Sequence, residues 1–192
     1  MKLVEMEKVR EGKYLKNYEL TYENKGGRKK IYELVSLKDH KSEKDLGNSV
    51  SGVSIAAFVG NRMLLLKEFR MAVNREIYNL CAGRLEPDET IEECVKRELF
   101  EETGLVLEKV WHILPPSFSA VTISDAKTQI IFAEASGELS TEHNSDNEQI
   151  SPGLYSREEM KQMLDSLEFS SRAQIIAWMF ANGFLEKLLT SV

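Results

Sequence analysis

Three glutamates, Glu98, Glu101 and Glu102, stand within little more than one helical turn, and Arg97 directly precedes them. On a helix this spacing brings the carboxylates to roughly one face, where like charges at i,i+4 repel by about 0.2–0.5 kcal/mol per pair. A hard divalent cation removes that repulsion, because Mg²⁺ takes oxygen ligands and shares them with substrate phosphates. The pattern therefore points to metal-assisted chemistry at a phosphate. A solvated acidic helix face has the same residues, so the three glutamates alone leave both readings open.

The neighbouring residues supply the elements that would hold such a cluster. Thr90 and Glu93 have capping-box spacing and start a helix at Ile91. Ile91, Cys94, Val95 and Leu99 recur at helical intervals and form a buried stripe. Gly104 stands where a left-handed residue ends a helix. Arg97 is close enough to orient a carboxylate through a bidentate contact. Upstream, Gly83 lies where an apolar segment ends and the chain must turn back towards the helix.

Gly83, five residues, Glu89, seven residues and Arg97-Glu98-Leu99-Phe100-Glu101-Glu102-Thr103-Gly104-Leu105 together resemble the Nudix box of the MutT-like pyrophosphohydrolases, with every fixed position filled. The resemblance implies an α/β fold, an α/β/α sandwich with a mixed sheet, and hydrolysis of a nucleoside diphosphate linked to a further group. It also implies Mg²⁺ or Mn²⁺ held by Glu98, Glu101 and Glu102 with help from the backbone carbonyl of Ala82. Arg97 would orient the glutamates, and Glu89 would be a supporting or peripheral ligand.

Outside the box, Glu68-Phe69-Arg70 and Arg75-Glu76-Ile77 resemble elements of the ADP-ribose pyrophosphatase branch. In that branch two subunits exchange N-terminal strand arms, so the likeness implies a homodimer in which each active site borrows residues from its neighbour. Glu68, Arg70 and Arg75 become candidate substrate-binding residues, since a guanidinium fork matches a diphosphate. Arg70 and Arg75 also fit a surface ion pair. Arg28 and Tyr32, in the arm, could reach a nucleotide across the dimer. The branch often takes its general base from the loop between the last strands. Glu148 aligns best, with Glu142 next and a box glutamate as the alternative.

Three departures bear on the substrate. Cys81-Ala82-Gly83 stands where the branch has Pro-Ala-Gly, Ala120-Val121-Thr122 where it has Ser-Pro-Gly, and Ser170-Ser171-Arg172-Ala173 where it often has Asp-x-Lys-Thr. The resemblance thus implies hydrolysis of ADP-ribose to AMP and ribose 5-phosphate, with another nucleoside diphosphate sugar as the alternative. A non-catalytic nucleotide-sensing module is the alternative from another class.

Composition sets the outer bounds. The 192 residues fit one domain with an extension, with 42% hydrophobic and 29% charged residues. A net charge of −6 argues against a nucleic-acid polymer as partner but not against a nucleotide in a pocket. Cys81 and Cys94 have no disulfide or zinc spacing and read as reduced thiols of a cytoplasmic protein. Lys2, Glu5, Glu7 and Lys8 are incompatible with a signal-peptide core, and no apolar run reaches membrane-spanning length.

The chain divides into an arm, residues 1–46, and a Nudix domain, residues 47–192. In the arm, strands at 14–22 and 30–37 flank a turn at Gly26-Gly27, followed by a charged loop at 39–48. The domain reads as strands at 53–59, 62–69, 77–81, 106–114, 127–135 and 150–155, with the box helix from Ile91 to Gly104. Ser156 and Glu159 cap a helix reaching 167, and a last helix runs from 170 or 171 to 189. Its apolar face is Ile175, Ile176, Met179, Phe180, Phe184 and Leu188.

Overall fold

The computed structural model describes residues 1–145, 147 and 149–189. The strands are β1 (Lys2–Glu11), β2 (Lys16–Glu23), β3 (Lys29–Ser36), β4 (Val50–Val59), β5 (Arg62–Arg70), β6 (Arg75–Asn79), β7 (Cys81–Arg84), β8 (Val106–Ile113), β9 (Ser117–Phe118), β10 (Lys127–Ser136) and β11 (Ile150–Tyr155). The helices are α1 (Ile91–Thr103), α2 (Arg157–Ser166), α3 (Ser171–Ala181) and α4 (Glu186–Leu189). The chain forms two compact units, one of residues 1–52 and 115–129, the other of residues 53–114 and 130 onwards.

In the first unit β1, β2 and β3 make an antiparallel sheet in that order. The Asn24 side chain accepts the N–H groups of Gly26 and Arg28, and Gly27 takes φ +75°, which closes the β2–β3 turn. The hairpin is as the sequence predicts, but β1 adds a third strand that it does not announce. The apolar residues of β1 do not alternate regularly, and its ladder shifts register between Leu3 and Glu5 and again between Lys8 and Arg10. Tyr18, Leu20 and Leu34 form the core of this sheet. The Tyr18 hydroxyl accepts the His40 N–H at 2.7 Å, and Asp125 bonds the His40 ring at 2.7 Å and the Gly47 N–H at 3.0 Å. Tyr32 donates its hydroxyl to the Thr122 carbonyl.

The second unit is an α/β/α sandwich around a mixed sheet, ordered β11-β5-β4-β10-β8 with β6 on β5 and β7 on β4. Successive residues of β4 and β5 point to opposite faces. Ile55, Ala57, Leu64 and Leu66 meet Val95 and Leu99 of α1 on one face. Phe58, Met63 and Leu65 meet Met160 of α2 and Ile176 and Phe180 of α3 on the other. Burial on both faces explains why β4 and β5 are continuous apolar runs. Trp111 stacks on Phe58 at 5.4 Å within the core of the α2–α3 face.

Two expectations require correction here. The single strand at 77–81 is two, β6 and β7, with fully buried Leu80 between them. The last helix ends at Ala181, because Gly183 adopts φ +79°, and the chain resumes only a short turn, α4. Phe184 therefore leaves the predicted buried face and is 62% exposed, stacked on Trp178 at 5.3 Å, while Ile175, within α3, lies on the outer side with Trp178 and is 60% exposed. Among the described residues, no helix is long and apolar enough to cross a membrane.

Candidate active site

The box helix is capped as its sequence dictates. Thr90 accepts the Glu93 N–H at 3.3 Å, Glu93 accepts the Thr90 N–H at 2.9 Å, and Gly104 closes α1 at φ +75°. Such a cap contributes about 1 kcal/mol and fixes where α1 begins, hence which side chains face β7.

Arg97 is the hub of the site. Its Nε and Nη2 donate to the two oxygens of Glu89 at 2.8 and 3.0 Å, and its Nη1 donates to Glu98 at 2.7 Å and Glu101 at 3.2 Å. Nη2 also reaches the Arg84 carbonyl at 3.0 Å, so one guanidinium joins the loop before α1, α1 itself and β7. The Arg97 hydrogen bond, aided by the Glu86 N–H, holds the Glu89 carboxyl down at about 2. Glu89, then Glu98 and Glu101, raise the affinity of the guanidinium for its proton in return.

Glu102 sits deeper. Its carboxylate accepts the Ala82 N–H at 3.1 Å and a hydrogen bond from the Cys81 thiol, yet burial pushes its pKa up to about 8, reinforced by Glu98 and Glu68 nearby. Gly83 makes room for the helix: a Cβ there would fall 1.7 Å from Glu98 Cδ. Both thiols are free and buried, and burial pushes Cys81 up and Cys94 up to about 12. Neither is a nucleophile, because the thiolate is the reactive form.

Beside this cluster, buried Glu68 accepts Asn79 Nδ2 at 2.7 Å on one oxygen and Arg70 Nη1 at 3.3 Å on the other. Arg70 remains half in solvent. Arg75 is placed otherwise, in an exposed ion pair with Glu168 at 3.1 Å, which is the surface role its sequence also allowed. Arg28 is exposed and Tyr32 half-buried in the other unit. Glu148 lies outside the described residues, while Glu142 is exposed. Sequence reasoning passed over Asn79, because a lone asparagine before the box carries no pattern; only the fold reveals its partner.

The donor set suits a hard cation. It offers carboxylate and backbone oxygens, and it includes a buried carboxyl whose charge the neighbouring acids oppose and a divalent cation would favour. Among the described residues, no three carboxylates, imidazoles or thiols stand already gathered to hold an ion. Arg97 bonds one oxygen of Glu98 and one of Glu101, while Glu102 faces Ala82.

A family model, the NUDIX domain, matches residues 48–179. The chain is similar to putative nudix hydrolase 2 of Caenorhabditis elegans, 30% identical over 112 residues, which cover 56% of this chain and 48% of that protein. It is also similar to an 8-oxo-dGDP phosphatase of Mus musculus, 32% identical over 114 residues, 58% of this chain and 34% of that protein. The chain thus matches about half or less of the length of these relatives. The crystal structure of an ADP compounds hydrolase superposes with a TM-score of 0.75 over 96% of this chain and 94% of that one, at 18% identity, a likeness of fold.

Proposed function

We propose, since the chain belongs to the NUDIX domain family, that it is a metal-dependent pyrophosphohydrolase cleaving the diphosphate linkage of a nucleoside diphosphate derivative. The leading substrate is ADP-ribose, giving AMP and ribose 5-phosphate; another nucleoside diphosphate sugar is the alternative. The observation that carries this reading is the single guanidinium of Arg97 gathering Glu89, Glu98 and Glu101 above buried Glu102.

Glu98, Glu101 and Glu102, with the Ala82 carbonyl, would hold Mg²⁺ or Mn²⁺, which supplies charge neutralisation at the diphosphate and a more acidic water. The protein does the rest. Arg97 keeps Glu98 turned towards β7 and holds Glu89 as a fixed anion at its back. Arg70, steadied by Glu68, offers a planar fork to the diphosphate oxygens. Glu148 takes the proton of the attacking water, with Glu142 or a box glutamate as substitute. Arg28 and Tyr32 contact the nucleotide of a partner subunit in a homodimer with exchanged arms.

The test is a panel of ADP-ribose, other nucleoside diphosphate sugars, dinucleotides, coenzyme A and 8-oxo-dGDP, assayed with Mg²⁺ and Mn²⁺. Turnover of ADP-ribose is the expected result. Cleavage of none of them would overturn the reading.

A further inference from the structure

We infer that Asn79 and Ser170 are positioning residues, forming a one-way polar relay that fixes Glu68 and, through it, aims Arg70 at the substrate's diphosphate. This rests on the reading of the site as a pyrophosphohydrolase centre.

The relay starts at the N-cap of α3. The Ser170 hydroxyl accepts the Ala173 N–H at 3.4 Å, so its own proton is free to be donated to Asn79 Oδ1, 2.6 Å away. The Ser170 N–H is anchored on the Tyr78 carbonyl at 2.9 Å, which holds the hydroxyl beside β6. An asparagine amide carries an acceptor at one end and donors at the other. With Oδ1 committed to Ser170, Nδ2 must face Glu68, and it does so at 2.7 Å. Glu68 then has one oxygen on Asn79 and the other on Arg70.

The terminal torsion of a glutamate is soft, so a carboxylate with one partner swings freely while one with two is held. Glu68 accepts from the Arg70 guanidinium, whose side chain is 55% exposed and so open to a ligand. Reversing Asn79 would set its oxygen against a Glu68 oxygen. That repulsion would turn the carboxylate and release Arg70. A serine at a helix cap thereby controls a guanidinium two strands away.

Ser170→Asp separates the relay from the cap. Aspartate caps a helix about as well as serine, but as an acceptor-only group it draws Nδ2 to itself and turns Oδ1 on Glu68. Asn79→Ala removes the relay and leaves the cap intact. Steady-state kinetics on the best substrate of the panel and calorimetric binding of ADP would be measured with each variant. In both, KM and the ADP dissociation constant should rise about tenfold or more, with kcat changed less than about threefold, as expected when one charge-assisted contact is misaligned. Ser170→Thr should restore wild-type values. Ser170→Asp should add nothing in an Asn79→Ala background, because the two changes act through one path.

Wild-type KM and ADP affinity in Asn79→Ala, or an undiminished Ser170→Asp effect without Asn79, would overturn the relay while the hydrolase reading stands. A wild-type protein that neither cleaves the panel nor binds ADP would overturn that reading, and the relay with it.

Discussion

The carboxylate of Glu98 occupies the space that a side chain at position 83 would need, since a Cβ on Gly83 would lie 1.7 Å from its Cδ. Strand β7 and helix α1 can approach so closely only because residue 83 is glycine. Gly83→Ala should displace Glu98 and cost about 1–3 kcal/mol of stability as an overpacked contact. Turnover should fall about a hundredfold, as misplacement by an ångström does. Parallel denaturant melts and kcat measurements would check both; unchanged kcat would show that Glu98 takes no part in turnover.

Arg97→Lys keeps the charge and loses the fork. A lysine cannot bond both oxygens of Glu89 while also reaching Glu98, Glu101 and the Arg84 carbonyl. The expected loss is about 2 kcal/mol in stability, the scale of hydrogen bonds to charged groups. A larger fractional loss should appear in kcat than in ADP affinity. Equal effects on both would place Arg97 at the substrate rather than behind the glutamates.

Glu102→Gln keeps an acceptor for the Ala82 N–H and removes the carboxyl that a bound cation would hold ionised. Turnover should vanish while the melt stays cooperative. Mg²⁺ should raise the melting temperature of the wild type, since a ligand bound only by the folded state stabilises it, and chelation should reverse the rise. In the variant the rise should be lost. A variant that still hydrolyses substrate at near-normal rate would remove Glu102 from the mechanism.

Asp125 gives the first unit an acid-sensitive tie. Burial pushes its carboxyl up, but the Gly47 N–H, the Ser36 hydroxyl and the His40 ring outweigh that and hold it below the usual carboxylate range. A depressed folded value means stability that is fully present above the unfolded value of about 4 and fades as pH falls through the folded one. Asp125→Asn should cost about 1–3 kcal/mol near neutrality, where the hydrogen bonds are charge-assisted. Its denaturant midpoint should then decline less than that of the wild type between about pH 5 and pH 3. Parallel declines would show that another group carries the acid sensitivity.

Local rules made the box legible. Thr90, Glu93 and Gly104 act within one turn of their own positions, so the limits of α1 could be read residue by residue. The alternation hidden in the apolar runs of β4 and β5 could be read only as strand, not as two faces with different helices. Strand β1 escaped because its partner supplies the ladder while its own residues stay mostly in water. The last helix reads too long in the sequence because Phe180, Phe184 and Leu188 keep i,i+4 spacing across the break at Gly183, while Ile175 precedes that break and lies on the solvent side of α3. At the site, charge pattern revealed Glu98, Glu101 and Glu102, but not that Glu101 is half exposed and Glu102 nearly covered. Nor could it show Asn79 meeting Ser170, since contact across ninety residues is a property of the fold.

The two indoles divide the second unit between them. Trp111 lies against Phe58 within the sheet's packing, whereas Trp178 stands on the outer side of α3 beside Phe184. Its fluorescence should therefore carry two signals, a blue-shifted one from the sheet and a red-shifted, quencher-accessible one from the C-terminal helix. With each tryptophan replaced in turn by phenylalanine, the loosening of that helix can be timed separately from the collapse of the sheet.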